Sequence, residues 1–379
     1  MNRPLCFVFG IVLILSQATA QDAIQPETVT AVKKATVFVS VQSGPLKSSG
    51  SGFVVLAVEK DNLLIATNFH VVVPMEREKR LKLSPSELSK ALKASTLTVV
   101  FDGGTATEQS AKAEVIAADP ETDLAILRVT GVKNPPKPID YAAATKLVET
   151  MSIYTFGYPF GQALATGKGA PAITVGKGSI SSLREDDNGV LSLVQIDGAL
   201  NPGNSGGPVV DTKGQLVGVA VSTVKNGQGI GFAIPAAELG KMLKGRIGGF
   251  HVTATRAAEG KLTIRTEVAL IDPTAALKGV TLHYLVVDPK GKRPDKKEPV
   301  EKQSGAKKLA LKIEGGVAAG EVTLSVNEGE LFVQAVPDGG SGVAGISPVR
   351  NYGLVVPKGD AASVVLNLGP VPVAGVGAG

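Results

Sequence analysis

From Thr36 to Ser222 the sequence is cut into short apolar runs rich in Val, Ile, Leu and Thr, separated by Gly, Pro, Asn and Asp. The first set reads TVFVSV (36–41), GSGFVVLAV (50–58), NLLIATN (62–68), TLTVVF (96–101), KAEVIAA (112–118) and LAILRV (124–129). The second reads SIYTFG (152–157), GSISSL (178–183), VLSLVQI (190–196), PVVD (208–211) and LVGVAVS (216–222). Runs of this length and composition read as strands. Helices do not alternate with them, so a doubly wound parallel sheet is excluded and two successive β-barrels are predicted. Helical patterns are few: PETVTAVKKA (26–35), PAAELGKMLKG (235–245), and the insertion helix SPSELSKALKAS (84–95). In the last, Ser84 is placed to cap, Pro85 suits the first turn, and Glu87 completes a capping box.

Beyond residue 248 the pattern changes to strict alternation. Leu262, Ile264, Val268 and Leu270 share one face, as do Val280, Leu282, Tyr284 and Val286. Leu309, Leu311 and Ile313 continue the series, followed by Val322, Leu324 and Val326 and by runs at 329–338, 352–357 and 362–368. About seven short strands of period two predict a β-sandwich, with an immunoglobulin-like arrangement among the options. At the other end, an apolar run follows MNRP and stops at the small residues ATA (18–20). That pattern predicts a signal peptide with cleavage after Ala20, shorter than a membrane span needs, with an uncleaved anchor as the alternative reading. The expected organisation is therefore signal peptide 1–20, a first domain 21–248, a β-sandwich 249–368 and a low-complexity tail 369–379. Export, to a periplasm or to the medium, follows. No membrane span is expected after cleavage, and the single cysteine, Cys6, leaves with the signal.

The formal net charge of +5 is spread over the chain. Its densest stretch, KGKRPDKKEPVEK (290–302), mixes acids and prolines into the lysines, which argues against a nucleic-acid partner. No His/Cys cluster suggests a metal, and GQGIG (227–231) lacks the strand–turn–helix context of a phosphate loop. No cofactor is expected. REDDNG (184–189) reads as the turn of a hairpin.

One stretch does carry chemistry. IDGALNPGNSGGPVVD (196–211) sets Ser205 among glycines, which weaken strands and pack nothing. A nucleophilic serine needs a base. The chain has 3 histidines, and two of them, His251 and His283, lie in the later region. His70, at the end of a predicted strand, remains. Asp123, directly before the strand LAILRV, is the better acid to orient it; Asp119, beside Pro120, is the weaker one. Gly203 would let backbone N–H groups approach an oxyanion.

TNFHVV, DPETDLAILRV, GYPFG, NPGNSGGPVVD and GIGFAIP (229–235) resemble trypsin-like serine proteases of the HtrA/Deg type, over about residues 28–245. The resemblance implies two six-stranded barrels with the active site between them. It implies His70 as general base, Asp123 as its orienting acid, Ser205 as nucleophile, and the N–H groups of Gly203 and Ser205 as oxyanion hole. The specificity pocket would be formed by Ala199, Leu200, Ser222 and Val224, with Val221 and Thr223 beside them. No acid lies there for Lys or Arg, so cleavage after small aliphatic residues of unfolded protein or peptide substrates is expected. Many trypsin-type enzymes carry an aspartate before the serine that pairs with a freed N-terminus. Asn204 stands there instead, which implies no zymogen step beyond signal removal. Two departures are evident: a charged insertion (74–95) after His70, and no PDZ pattern after residue 248. The competing functional class is a silent or chaperone-like scaffold that binds through the cleft or the sandwich. Oligomeric state is not written in the sequence.

Overall fold

The computed structural model describes residues 23–367, apart from 59–61, 143–145, 166, 168, 188, 199, 222–228, 257–260, 289, 292, 295–297, 326–327, 339–346 and 356–364. The signal peptide and tail expected from the sequence lie outside the described residues.

A helix, α1 (Pro26–Ala35), precedes the first barrel. That barrel holds β1 (Thr36–Ser43), β2 (Leu46–Val58) and β3 (Asn62–Asn68), then α2 (Phe69–Val72), α3 (Arg77–Arg80) and α4 (Pro85–Lys93), then β4 (Thr96–Phe101), β5 (Gln109–Asp119) and β6 (Leu124–Val129). The second holds β7 (Ser152–Gly157), β8 (Thr174–Glu185), β9 (Leu191–Ile196), β10 (Pro208–Val210), β11 (Leu216–Val221) and β12 (Gly231–Pro235), and ends in α5 (Ala236–Leu243). Both barrels close, in the orders β1-β2-β3-β6-β5-β4 and β10-β11-β12-β9-β8-β7.

The near-continuous apolar runs have a physical reason, since the strands at the seam are buried on both faces. Val54, Leu63, Ile65 and Leu127 fill barrel one. Their neighbours Phe53, Val55, Leu64 and Ile126 turn the other way, into a core shared with Phe156, Val210 and Ile234 of barrel two and with Leu239 and Met242 of α5. This shared core presses the barrels together and fixes the cleft between them. The capping box on α4 forms as expected: Ser84 Oγ accepts from Glu87 N, and Glu87 accepts from Ser84 N. Those bonds hold the Glu87 carboxyl below the usual carboxylate range.

The remaining strands are β13 (Arg246–Arg256), β14 (Leu262–Ile271), β15 (Gly279–Val287), β16 (Lys307–Glu314), β17 (Val317–Leu324), β18 (Glu328–Asp338), β19 (Arg350–Val355) and β20 (Val365–Asn367). They join in one sheet, ordered β19-β18-β15-β16-β17-β14-β13-β20. Residues from both halves of this order, among them Val252, Ile264, Leu282, Val333 and Leu354, share one core. The two layers of the expected sandwich are thus the two halves of a single curled sheet. Helix α4 leans on it: Ser86 N donates to Glu267 Oε2 at 3.2 Å and Ser89 Oγ to the Gly315 carbonyl at 3.1 Å. Arg246, at the start of β13, pairs with Asp119 of β5. No helix among the described residues is long and apolar enough to cross a membrane.

Candidate active site

The strand register delivers Asp123 to His70. The β3–β6 ladder ends at Asn68↔Leu124 and the β5–β6 ladder at Asp119↔Leu124. Asp123 is the first residue beyond both ladders, and α2, which carries His70, starts just past Asn68. The Asp123 carbonyl accepts from Phe69 N and from Asn68 Nδ2, both at 3.0 Å. Asp123 Oδ1 accepts from His70 N at 3.0 Å, and Oδ2 lies 2.6 Å from His70 Nδ1. Asp123 sits in the left-handed region at φ 58°. A short polar side chain tolerates that region better than most, though such conformations cost roughly 1–3 kcal/mol and persist where surrounding structure over-determines them. Asp119 does something else. It accepts from Glu121 N at 3.1 Å and from Thr122 Oγ1 at 2.5 Å, and it meets Arg246. It folds the turn that presents Asp123.

The Ser205 loop needs bare backbone because it is wedged between two barrels. Gly203 has φ +103°, and a Cβ there would lie 2.3 Å from the Tyr158 carbonyl oxygen. Gly206 has φ +87°, and its Cβ would lie 2.2 Å from the Ser51 carbonyl oxygen and 2.4 Å from Thr67 Oγ1. Gly206 therefore abuts the strand that runs into His70. Between the two elements stands Gly50, whose Cβ position would meet both Val71 and the Ser205 carbonyl. Gly206→Ala combines a left-handed backbone with a clash against main chain, so we expect a loss of roughly 2–5 kcal/mol. Urea denaturation measures it; a midpoint equal to that of the wild type would refute the packing described.

Ser51, a residue without a role in the sequence analysis, clasps this loop. It is fully buried. Its N–H donates to the Ser205 carbonyl at 2.8 Å. Its Oγ donates to the Gly203 carbonyl at 2.7 Å and accepts from Tyr158 N at 2.9 Å. Ser51→Ala strands the buried Tyr158 N–H and the half-buried Gly203 carbonyl, at about 1–3 kcal/mol. The expected result is a lower melting temperature and a fall in turnover; unchanged values of both would contradict the clasp. The only sequence signal for Ser51 is its place in GSGF, between glycines.

A cavity of about 900 Å³ opens beside His70 and Asp123, lined across the cleft by Leu191, Ser192, Val221 and Phe232. Of the expected pocket residues, Leu200 is buried with Ile196, Ala220 and Ala233. Ala199, Ser222, Thr223 and Val224 lie outside the described residues. Asp197, the nearest acid in sequence, accepts from Ser179 N at 2.5 Å and from Ser179 Oγ at 2.6 Å. Those bonds hold its carboxyl below the usual range. Among the described residues no group of three or more His, Cys, Asp or Glu could hold a metal ion.

Residues 50–219 match the family described as "Trypsin-like peptidase domain". Over these residues the chain is similar to trypsin-like peptidases. It is 30% identical over 203 residues to Protease Do-like 1, chloroplastic, of Arabidopsis thaliana, covering 51% of this chain and 38% of the relative. To the serine protease Do-like HtrA of Lactococcus lactis subsp. lactis it is 27% identical over 202 residues, covering 51% and 43%. The chain thus spans less than half the length of these relatives. A solved serine endoprotease from Yersinia pestis is 26% identical, with 57% of this chain and 64% of that one covered, at a TM-score of 0.41. The double-barrel architecture rests on the closed strand orders themselves. In this chain the double barrel leads into the curled sheet.

Proposed function

We propose that the chain is an exported serine endopeptidase in which His70, Asp123 and Ser205 act as a triad. The observation that carries the proposal is the His70–Asp123 couple, set where the loop bearing Ser205 meets the turn bearing His70. A carboxylate bonded to Nδ1 fixes the tautomer that leaves Nε2 as the base. Ser205 Oγ attacks the scissile carbonyl while its proton passes to His70 Nε2. The tetrahedral oxyanion is met by the N–H groups of Gly203 and Ser205. His70 then returns the proton to the leaving amine, and water hydrolyses the acyl-enzyme by the same steps in reverse. The apolar surroundings of Leu200 and the engagement of Asp197 by Ser179 support cleavage after small aliphatic residues, because a buried cation would find no compensating charge. An extended, unfolded segment suits the cleft, since its backbone can pair with a strand edge.

Export rests on the signal-like first twenty residues of the sequence. The separate core of the curled sheet supports reading residues 249–368 as a domain of its own. Residues 246–370, which keep the whole of β13, are then expected to fold alone, as read by circular dichroism and NMR dispersion; a disordered fragment would count against it. The function itself is tested by digestion of an unfolded model protein with every cut mapped. Cuts after Val, Ala, Ile or Leu are expected. Cuts dominated by Lys or Arg would overturn the pocket reading, and no cleavage would favour a binding scaffold.

A further inference from the structure

The charged insertion after His70 reaches the catalytic carboxylate. Arg80, at the end of α3, is buried with its side chain only 10% exposed, and its Nη1 lies 3.3 Å from Asp123 Oδ1. The guanidinium carbon stands 5.3 Å over the ring of Phe69, the residue before His70. Arg80 Nε, also buried, has no partner among the described groups. An arginine desolvated in this way, with one donor unanswered, is a poor choice for stability alone, since an apolar side chain of similar volume would pack over Phe69 at lower cost. Its placement makes sense as electrostatics directed at Asp123.

We propose that Arg80 is a positioning residue of the triad. It anchors Oδ1 so that Oδ2 stays aimed at His70 Nδ1, and its charge partly offsets the carboxylate that His70 feels. The inference rests on the triad reading above. The two carboxylate oxygens are used differently, since Oδ2 serves the imidazole while Oδ1 is held by His70 N and Arg80. The remaining charged groups on this cavity are Glu121, from the turn before Asp123, and Asp186, Glu238 and Lys241 across the cleft. Arg80 is the one that contacts Asp123. The insertion that carries it is tied to the curled sheet through Glu267 and Gly315, which fixes where α3 can stand.

The sign of the effect follows from the charges. Ser205 needs neutral His70. Removing the guanidinium leaves Asp123 uncompensated and favours the imidazolium. The acid limb of the pH–rate profile therefore moves to higher pH. Loss of the anchor also lets the carboxylate turn, for an expected tenfold fall in rate, on the order of a single lost charge-assisted bond.

The test is the second-order rate of fluorophosphonate labelling of the full chain between pH 5 and 9, which needs no known substrate. Wild type, His70→Ala, Arg80→Met, Arg80→Gln and Arg80→Lys are compared, with melting temperatures alongside. Met fills the space over Phe69 and Gln can still donate to Asp123, so at least one neutral variant should remain folded. Both neutral variants should shift the acid limb upward, and Lys, which keeps the charge, should restore it. A folded neutral variant with the wild-type limb and rate would overturn the role of Arg80 while leaving the triad intact. Wild-type labelling that is independent of His70 would overturn the triad reading and the Arg80 role with it.

Discussion

Ser205→Ala and His70→Ala are each expected to lower turnover by roughly 10⁴-fold or more, and the double variant to be little worse than either. In the proposed triad the nucleophile and base act as one unit. Without His70 the hydroxyl keeps its proton, and without Ser205 the base has nothing to activate. Independent contributions would multiply; members of one proton-transfer chain do not. Asp123→Asn belongs to the same set. An amide accepts at Oδ1 but can present N–H to Nδ1, which selects the wrong tautomer and costs about 10⁴-fold. Ser205→Ala and His70→Ala should keep the wild-type melting temperature within a few degrees, because neither leaves a buried charge unpaired, whereas Asp123→Asn should lower it, because the buried Arg80 loses its carboxylate partner. Single-turnover kinetics on a mapped peptide checks the set. Multiplicative losses in the double variant would show that the residues do not share a step.

The second large effect concerns stability. Asp119 is 2% exposed, and Arg246 meets it from the first residue of β13. Burial pulls the Arg246 guanidinium below its usual range. This pair ties barrel one to the curled sheet, and Asp119 also organises the turn that presents Asp123. Removing one partner of a buried pair leaves the other charged and uncompensated, at about 3–5 kcal/mol. Arg246→Met should therefore destabilise the chain by about that much and also reduce turnover through the 119–123 turn. The double variant Arg246→Met, Asp119→Asn should recover part of the stability, because the orphaned charge is gone. Urea unfolding of the wild type, Arg246→Met, Asp119→Asn and the double variant decides. A loss under about 1 kcal/mol for Arg246→Met would show that the remaining partners of Asp119 suffice.

Much of the fold was legible because strands buried on both faces write themselves as continuous apolar runs, and half-buried ones as alternation. LAILRV and TVFVSV are of the first kind, and Val280–Val286 of the second. The α4 start was legible because its cap is local, Ser84 to Glu87. Features that depend on distant partners were not. β12, at GFAIP, was noticed only as part of a family resemblance, since five residues carry little pattern of their own. β13 was missed because Gly248 and Gly249 interrupt it; they lie in the register irregularity between Ile247 and Phe250. The continuity of the last sheet is set by pairings such as β13 with β20, which lie far apart in sequence. In the candidate site, the choice of Asp123 over Asp119 could be argued from its place before an apolar strand. Arg80 could not be found this way. It stands in the charged run EREKR, where solvent exposure is the ordinary expectation, and its partner Asp123 is 43 positions away. Ser51 was hidden similarly, because its partners come from the other barrel.

The central claim is that Ser205 is a nucleophile activated by His70 in this cleft. The direct measurement is peptide mass spectrometry of the full chain after exposure to a fluorophosphonate, in wild type and His70→Ala. A single covalent adduct on Ser205 in the wild type, lost or strongly reduced in His70→Ala, is the result expected. No adduct on Ser205 in folded wild-type protein, or equal labelling in both, would contradict the account.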